Sequence, residues 1–418
     1  MPHIAIIGAG ITGVTTAYAL LERGHDVTVI DRNRYAAMET SYANGGQLSA
    51  SNAEVWNNTA TIIKGLRWMF RHDAPLSLNL MPSWHKYSWL AEFVFNTANY
   101  RQNTINTAKL AIEARKHLFA LAERENIAFD LKNCGILHIY HDKVSFEDGS
   151  RVTTLLREGG LERRAVTPDE IRTIEPALKG TYYGGFFTPA DASGDIHKFT
   201  RGLADACARR GATFIYDADV QAIASNEDGF HIQWDCVPRQ ADESPTANAS
   251  AVRADGIVIC AGVASRRFAS ILGDRVNVYP VKGYSITVQL DSAHSQNCAP
   301  QVSLLDEAAK IVTSRLGPDR FRIAGTAEFN GVNRDIRADR IQPLSDWVRS
   351  NFPGIDTSRV VPWAGLRPMM PNMMPVVRRG GKPGVFYNTG HGHLGWTLSA
   401  ATAEAVADLV GASPDRQQ

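Results

Sequence analysis

HIAIIGAGITGVTTAYALLERGHDVTVID, residues 3–31, decides the fold. Residues 4–7 make a short apolar strand that runs into Gly8-Ala9-Gly10-Ile11-Thr12-Gly13. A helical stretch follows and stops at Gly24, and a second strand, DVTVI, ends at Asp31. The order is what the binding of a dinucleotide requires. Gly8 permits a tight turn, Gly10 lets backbone N–H groups reach a pyrophosphate, and Gly13 allows helix and strand to pack closely. The helix N-terminus then presents its partial positive charge to the phosphates. Asp31 stands 18 residues past Gly13, where an acid accepts ribose hydroxyls and repels a 2′-phosphate.

The totals set the frame. At 418 residues the chain exceeds one ordinary core, so two domains are expected. Apolar residues are 44% and charged residues 21%, the balance of a globular protein, and a net charge of +1 gives no field to recruit nucleic acid. Five cysteines, at 134, 207, 236, 260 and 298, form no CxxC pair, which suits a reducing compartment without structural zinc or an iron–sulfur cluster. No run reaches the roughly 18 apolar residues of a membrane span. The chain opens directly on a strand rather than a secretion signal, so a cytoplasmic protein is expected.

After Asp31 a nicotinamide-binding domain would continue in strand–helix units. Here the chain turns to METSYANGGQLSASNA, residues 38–53, polar and rich in glycine. Extended backbone with small side chains suits a flat isoalloxazine ring, and Ser41, Asn44, Gly45 and Gln47 offer hydrogen bonds to its edge. A plain surface loop is the alternative. No second GxGxxG follows, and VICAGVAS at 258–265 has the strand without the glycines. FAD reduced by an organic substrate is therefore expected, rather than FAD reduced by a nicotinamide.

Residues 53–130 read mostly helical, and GILHIY at 135–140 reads as a strand. Thr167 and Pro168 have the look of an N-cap and first turn, with acids behind them. DIHKFTRGLADACARRG is an amphipathic helix, followed by one strand, ATFIYDADVQAI, in which Val220 falls where an adenine can stack. The stretch 240–252 reads as a surface loop. The expected architecture is α/β: a Rossmann-like FAD-binding domain from 1–52, 165–222, 253–272 and 360–418. Interleaved with it is a mostly antiparallel α+β substrate domain from 53–164, 223–252 and 273–359, carrying a helical excursion.

Five segments occur in order over most of the chain: GAGITGV from Gly8, ETSYANGGQLS from Glu39, YPVKGYS from Tyr279, GLRPMMPNMMPVV from Gly365 and NTGHGHLGWT from Asn388. Together they resemble the D-amino-acid dehydrogenases, within the wider FAD-dependent family of D-amino-acid oxidase, glycine oxidase and sarcosine oxidase. The resemblance implies that the last segment closes over the flavin. Gly390, Gly392 and Gly395 would bring N–H groups to the ring's pyrimidine edge, with His393 and Leu394 beside them. It also implies cofactor contacts at Ala9, Ile11, Thr12, Arg32, Leu48, Ala261, Gly262 and Gly365. His391 and His393 could mimic a metal pair, but no cysteine or carboxylate cluster accompanies them.

The same resemblance puts Arg367 where a guanidinium binds the α-carboxylate through two parallel hydrogen bonds; the bland alternative is an arginine paired to an acid. Tyr284 is either a substrate contact or a core aromatic, and Lys310 and Arg315 lie on the strand that usually lines the pocket. The implied reaction removes hydride from Cα to flavin N5 and leaves an imino acid that water hydrolyses. D-proline or D-hydroxyproline type imino acids are among the implied substrates, and a quinone or other acceptor takes the electrons. No cysteine follows Cys298 and no histidine lies between His25 and His72, so FAD is expected to be held non-covalently. Trp56, Trp68, Trp84 and Trp89, interleaved with Lys64, Arg67, Arg71 and Lys86, read either as a peripheral membrane belt or as a helical core with a basic face. Two other functions fit: an oxygen-using oxidase of glycine or sarcosine, and a flavin-binding subunit of a larger complex.

Overall fold

The computed structural model describes residues 2–68, 76–238 and 250–412. The first strand, β1 (His3–Ile7), lies at the centre of a six-stranded sheet. It pairs in parallel with β2 (Asp26–Ile30) on one side and with Gly256–Ile259 on the other. Thr213–Ile215 extends the sheet beyond β2, and Val385–Thr389 extends it beyond Gly256–Ile259, both in parallel. Only the edge strand Val376–Arg379 runs antiparallel. Because this sheet is covered on both faces, its strands are continuous apolar runs rather than alternating ones.

Helix α1 (Ile11–Glu22) carries buried residues all round, from Ile11 to Leu20, rather than one apolar stripe. The reason is its position between the sheet and two more helices, Ile196–Arg209 and the C-terminal Gly395–Gly411. The opposite face of the sheet is covered by a three-stranded antiparallel meander, Ala218–Asn226, Gly229–Cys236 and Ser250–Ala254. Phe230, Ile232 and Trp234 of the meander pack on Ala5, Ile7 and Ile257.

The second body is a nine-stranded, mostly antiparallel sheet. Tyr279–Gln289 lies between Val360–Met369 and Arg320–Phe329, and the order continues through Ile311–Leu316, Ser303–Asp306, Ile136–Tyr140, Gly184–Thr188 and Arg164–Val166. Leu76–Leu78 adds a short parallel partner to Arg320–Phe329.

The interleaving agrees with the sequence reading, but several boundaries do not. Residues 165–188, read into the nucleotide-binding part, belong to the far edge of the nine-stranded sheet. Residues 223–252, read into the substrate part, belong instead to the meander on the six-stranded sheet where they are described. Val360–Met369 pairs with Tyr279–Gln289, not with the nucleotide sheet. ATFIYDADVQAI is two strands: Asp217 takes φ 53° and turns the chain from one sheet into the next. Hydrophobic runs mark strands without naming their partners, and these four errors share that cause. The capping box at Thr167 and Glu170 is formed as read, with both reciprocal bonds present. Most of the loop read at 240–252 lies outside the described residues, and 250–252 are strand.

Among the described residues the tryptophans of the expected belt do not form a row. Trp89 is 1% exposed and donates to the Met369 carbonyl at 2.9 Å, and Lys86 is buried with its ammonium on two backbone carbonyls. Trp56 stacks on His393. Trp84 alone of the described ones is outward, at 84% exposed. Arg71, and the side chains of Lys64, Arg67 and Trp68, lie outside what the structure describes.

Candidate active site

Between the two sheets lies a cavity of about 1150 Å³. That exceeds the roughly 300–1,000 Å³ of most small-ligand pockets and suits a dinucleotide with a substrate beside it. Gly8, Gly10, Ile11 and Thr12 border it at one end, and Gly390, Gly392, His393, Leu394 and Gly395 border it too. The two glycine-rich segments, nearly 400 residues apart in sequence, thus close on one space.

The end of the cavity at Gly8–Thr12 is built largely from backbone. The N-cap of α1 is Gly10, with no cap from its own side chain and no acid in the first turn; Ser41 takes the Ile11 N–H, and the N–H groups of Thr12 and Gly13 behind it are the ones open to an anion. A Cβ on Gly13 would stand 1.8 Å from the Gly8 carbonyl oxygen, whereas one on Gly10 would meet only Ser41 Oγ, at 3.6 Å. Gly13 is closed in by packing, and Gly10 is open on the cavity side. Asp31 borders the same end; its carboxylate accepts the Ala9 N–H at 2.6 Å and the backbone and amide N–H of Asn33. Arg32 is paired to Glu39, and Val220, Ala261 and Gly262 border the cavity as read.

Several side chains expected to meet the flavin edge are committed elsewhere. Ser41 Oγ accepts the Ile11 N–H at the start of α1. The Gln47 amide donates to Ser303 Oγ and the Leu304 carbonyl, and Asn44 Oδ1 accepts the Gly46 N–H. Ala9, Gly13 and Leu48 do not border the cavity; Ala9 and Leu48 are core residues. Gly45 borders it by backbone, and a Cβ there would sit 2.6 Å from Val312.

The C-terminal cradle is a turn rather than an extended segment. Gly390 and Gly392 take φ of 75° and 60°, and Gly392–Leu394 is one turn of 3-10 helix ahead of Gly395–Gly411. Both residues would need a left-handed backbone that only glycine adopts freely. The histidines diverge: His391 Nε2 bonds Thr402 Oγ1 at 2.9 Å, and His393 Nε2 bonds the Asn52 carbonyl at 3.1 Å. Nδ1 of each, Trp396 Nε1 and Thr326 Oγ1 are buried with no partner among the described residues. Orphaned polar atoms around glycine-lined walls are what a large polar ligand would satisfy.

Arg367 is the charged group of the central wall. Its guanidinium lies against Gly283, where a Cβ would come within 2.3 Å of Nη2. Nη1 donates to the Thr326 carbonyl at 2.9 Å, and Thr326 is held at φ 62° in a bulge of its strand. A β-branched residue there is strained, and the strain aims a carbonyl at the arginine. No carboxylate among the described residues lies within ion-pair distance of Arg367. Burial lowers its pKa to about 10, which still leaves it charged at neutral pH.

The other substrate candidates stand differently. Tyr284 borders the cavity, is 1% exposed, and its hydroxyl donates to Glu328 at 2.8 Å within a buried cluster with Lys282. Arg315 does not border the cavity; its guanidinium is spent on the carbonyls of Gln296, Gly317 and Pro318. Lys310 borders it, tied to Glu307 at 2.6 Å. Glu54, Tyr100 and His138 also line the wall and carry no local pattern that sets them apart from ordinary helix and strand residues; Trp56, read above only as part of a tryptophan belt, lines it too.

A family described as FAD dependent oxidoreductase matches residues 3–409. The chain belongs to that family. It is therefore an FAD-dependent oxidoreductase. D-amino acid dehydrogenase 3 of Mesorhizobium japonicum is 63% identical over 410 residues, 98% of this chain and 97% of that one. D-amino acid dehydrogenase of Paramagnetospirillum magneticum is 40% identical over 422 residues, 98% and 95% of the two. Among solved structures, glycine oxidase from Geobacillus kaustophilus superposes with a TM-score of 0.73 at 21% identity, over 98% of this chain and 95% of that one. L-proline dehydrogenase from P. horikoshii gives 0.74 at 14% identity, over 99% and 95%. At those identities the oxidoreductase family's fold is what is shared.

Burial in this family member's cavity wall has a measurable consequence. It lowers His138 to about 4 and His391 to about 3, from an ordinary 6.5. A ring with a depressed pKa stays neutral in the fold while the unfolded chain takes up its proton. Stability present above pH 6.5 is thus lost as pH falls toward 4, by about 1.4 kcal/mol per pH unit for each such ring. The urea midpoint is expected to fall between pH 6.5 and 5, and less steeply in His391→Asn. A flat wild-type profile down to pH 5 would contradict this.

Proposed function

We propose that this enzyme oxidatively deaminates D-amino acids, cyclic imino acids of the D-proline or D-hydroxyproline type among them, and passes the electrons to a quinone or another acceptor. The single observation that carries the reading is Arg367, a cation on the cavity wall without a carboxylate partner among the described residues. The 63% identical relative is named for D-amino acids, which supports the substrate class. When bound, FAD supplies hydride acceptance at flavin N5, chemistry that belongs to the cofactor.

The chain's own residues bind and orient. Arg367 holds the α-carboxylate through a planar fork, which fixes which face of Cα is presented. The Thr326 carbonyl keeps that fork from rotating. His391 and His393 are neutral at pH 7, held there by burial, so neither competes with Arg367 for the carboxylate. A substrate amine that arrives deprotonated needs no acid–base side chain, and released imino acid hydrolyses in water.

A membrane-bound acceptor fits one surface. Helix Trp84–Phe95 turns Trp84, Tyr87, Val94 and Phe95 outward, at 84, 44, 50 and 84% exposed. Leu80 and Met81, just before it, are 70 and 72% exposed. An apolar helical face directed at solvent suits the interface of a bilayer. No helix among the described residues is long and apolar enough to cross a membrane.

Product and acceptor analysis tests the reading. One 2-oxo acid and one ammonia per substrate are expected from primary D-amino acids, with rapid turnover on a soluble quinone and little hydrogen peroxide in air. Stoichiometric peroxide without a quinone would make the enzyme an oxidase. FAD is expected to leave the chain on denaturation and filtration; yellow colour retained by the denatured polypeptide would show a covalent link.

A further inference from the structure

The cavity continues from Arg367 to a wall of different character. The charge of Arg367 acts on His393, and His393 stacks on Trp56 with ring centroids 4.9 Å apart. Two residues before Trp56, Glu54 borders the cavity. Most other carboxylates on that lining are occupied. Asp31 is bonded by Ala9 and Asn33, Glu39 pairs with Arg32 and Arg334, and Glu307 pairs with Lys310.

Glu54 is not occupied in this way. The Tyr100 hydroxyl donates to its Oε1 at 2.7 Å, and the Asn58 amide donates to the same oxygen at 3.2 Å. Oε2 receives no donor among the described residues, and no Lys or Arg among them lies within ion-pair distance. Burial pushes its carboxyl above the usual range. A carboxylate oxygen out of bulk water without a donor is costly, and a site that holds one open rejects ligands that leave it unpaired. Tyr100 fixes the carboxylate's orientation, so Oε2 is a preformed acceptor on a residue of the cavity wall.

We propose that Glu54 is a specificity-determining residue: its open carboxylate oxygen accepts a hydrogen bond from a donor on the substrate's side chain, a hydroxyl or an ammonium group, while Arg367 holds the α-carboxylate. The inference rests on the amino-acid-oxidising reading above. It narrows the substrates from D-amino acids at large to those carrying a donor beyond Cα. Apolar isosteres leave the oxygen unpaired and are poor substrates.

Matched pairs test it on the holoenzyme: 4-hydroxy-D-proline against D-proline, and D-lysine against D-norleucine. In at least one pair the donor-bearing member is expected to have a kcat/KM about tenfold or more above its isostere. Glu54→Ala is expected to bring that ratio close to one. Because the ratio compares two substrates on one preparation, partial misfolding or flavin loss cancels from it. Glu54→Gln keeps an acceptor oxygen without the charge: a preference that survives it marks a hydroxyl, and one that vanishes marks an ammonium. A wild-type enzyme that favours the apolar member of both pairs overturns the inference, as does a preference that persists in Glu54→Ala. If none of the four substrates reduces the flavin, the underlying reading fails instead.

Discussion

Replacing Arg367 by methionine is expected to lower kcat/KM for a D-amino acid by about 30-fold to about 5,000-fold while FAD stays bound. The range follows from the cost of removing one partner of a desolvated, hydrogen-bonded charge pair, about 2–5 kcal/mol, at 1.36 kcal/mol per tenfold. Arg367 lies on Val360–Met369, in the nine-stranded sheet, away from the glycine turn at the start of α1 proposed to hold the phosphates, so flavin content should not change. Methionine has similar length and fills the space over Gly283 without offering a fork. KM should rise through the lost anchor, and kcat should fall because an unanchored Cα samples unproductive positions. Arg367→Lys should recover only part of the loss, since a single ammonium cannot make two parallel bonds. Wild-type KM and kcat in Arg367→Met would remove the arginine from the substrate site.

The second large effect is expected from Gly13→Ala, set against Gly10→Ala. At Gly13 the added Cβ meets a carbonyl oxygen at 1.8 Å and the carbonyl carbon of the same residue at 3.0 Å. Both belong to backbone between a central strand and a helix, so neither moves aside without parting β1 from α1. A loss of about 3 kcal/mol or more and colourless protein are expected. At Gly10 the added methyl finds ordinary space beside Ser41. That variant should fold with a wild-type melting temperature and bind FAD more weakly, because the methyl stands on the surface left bare for phosphate. Equal stability of the two variants would show that the turn is less tightly packed than described.

The contrast between these glycines explains how much the sequence disclosed. The β1–α1–β2 unit is local: 29 residues contain the strand, turn, helix and terminal acid, and the reading needed no distant partner. Arg367 was legible by the company it keeps in GLRP. Tyr284 was not, because its hydroxyl is claimed by Glu328 across a bulge of two strands. Arg315 was misread for the same kind of reason; its acceptors are carbonyls at the ends of neighbouring segments, invisible to a pattern of side chains. The sheet to which 165–188, 223–252 and 360–369 belong was likewise fixed by pairing across the chain. Glu54 is the extreme case: nothing beside it in the sequence distinguishes it, and its interest arises only where Tyr100 and Asn58 leave one oxygen open.

Anaerobic mixing of the purified yellow protein with the two enantiomers of one amino acid, followed at the flavin's visible absorbance, addresses the account most directly. The D form is expected to bleach the band to completion, and the L form to leave it unchanged over the same period. Equal bleaching by both enantiomers, or bleaching by the L form alone, would contradict the orientation assigned to Arg367 and with it the function drawn from this cavity.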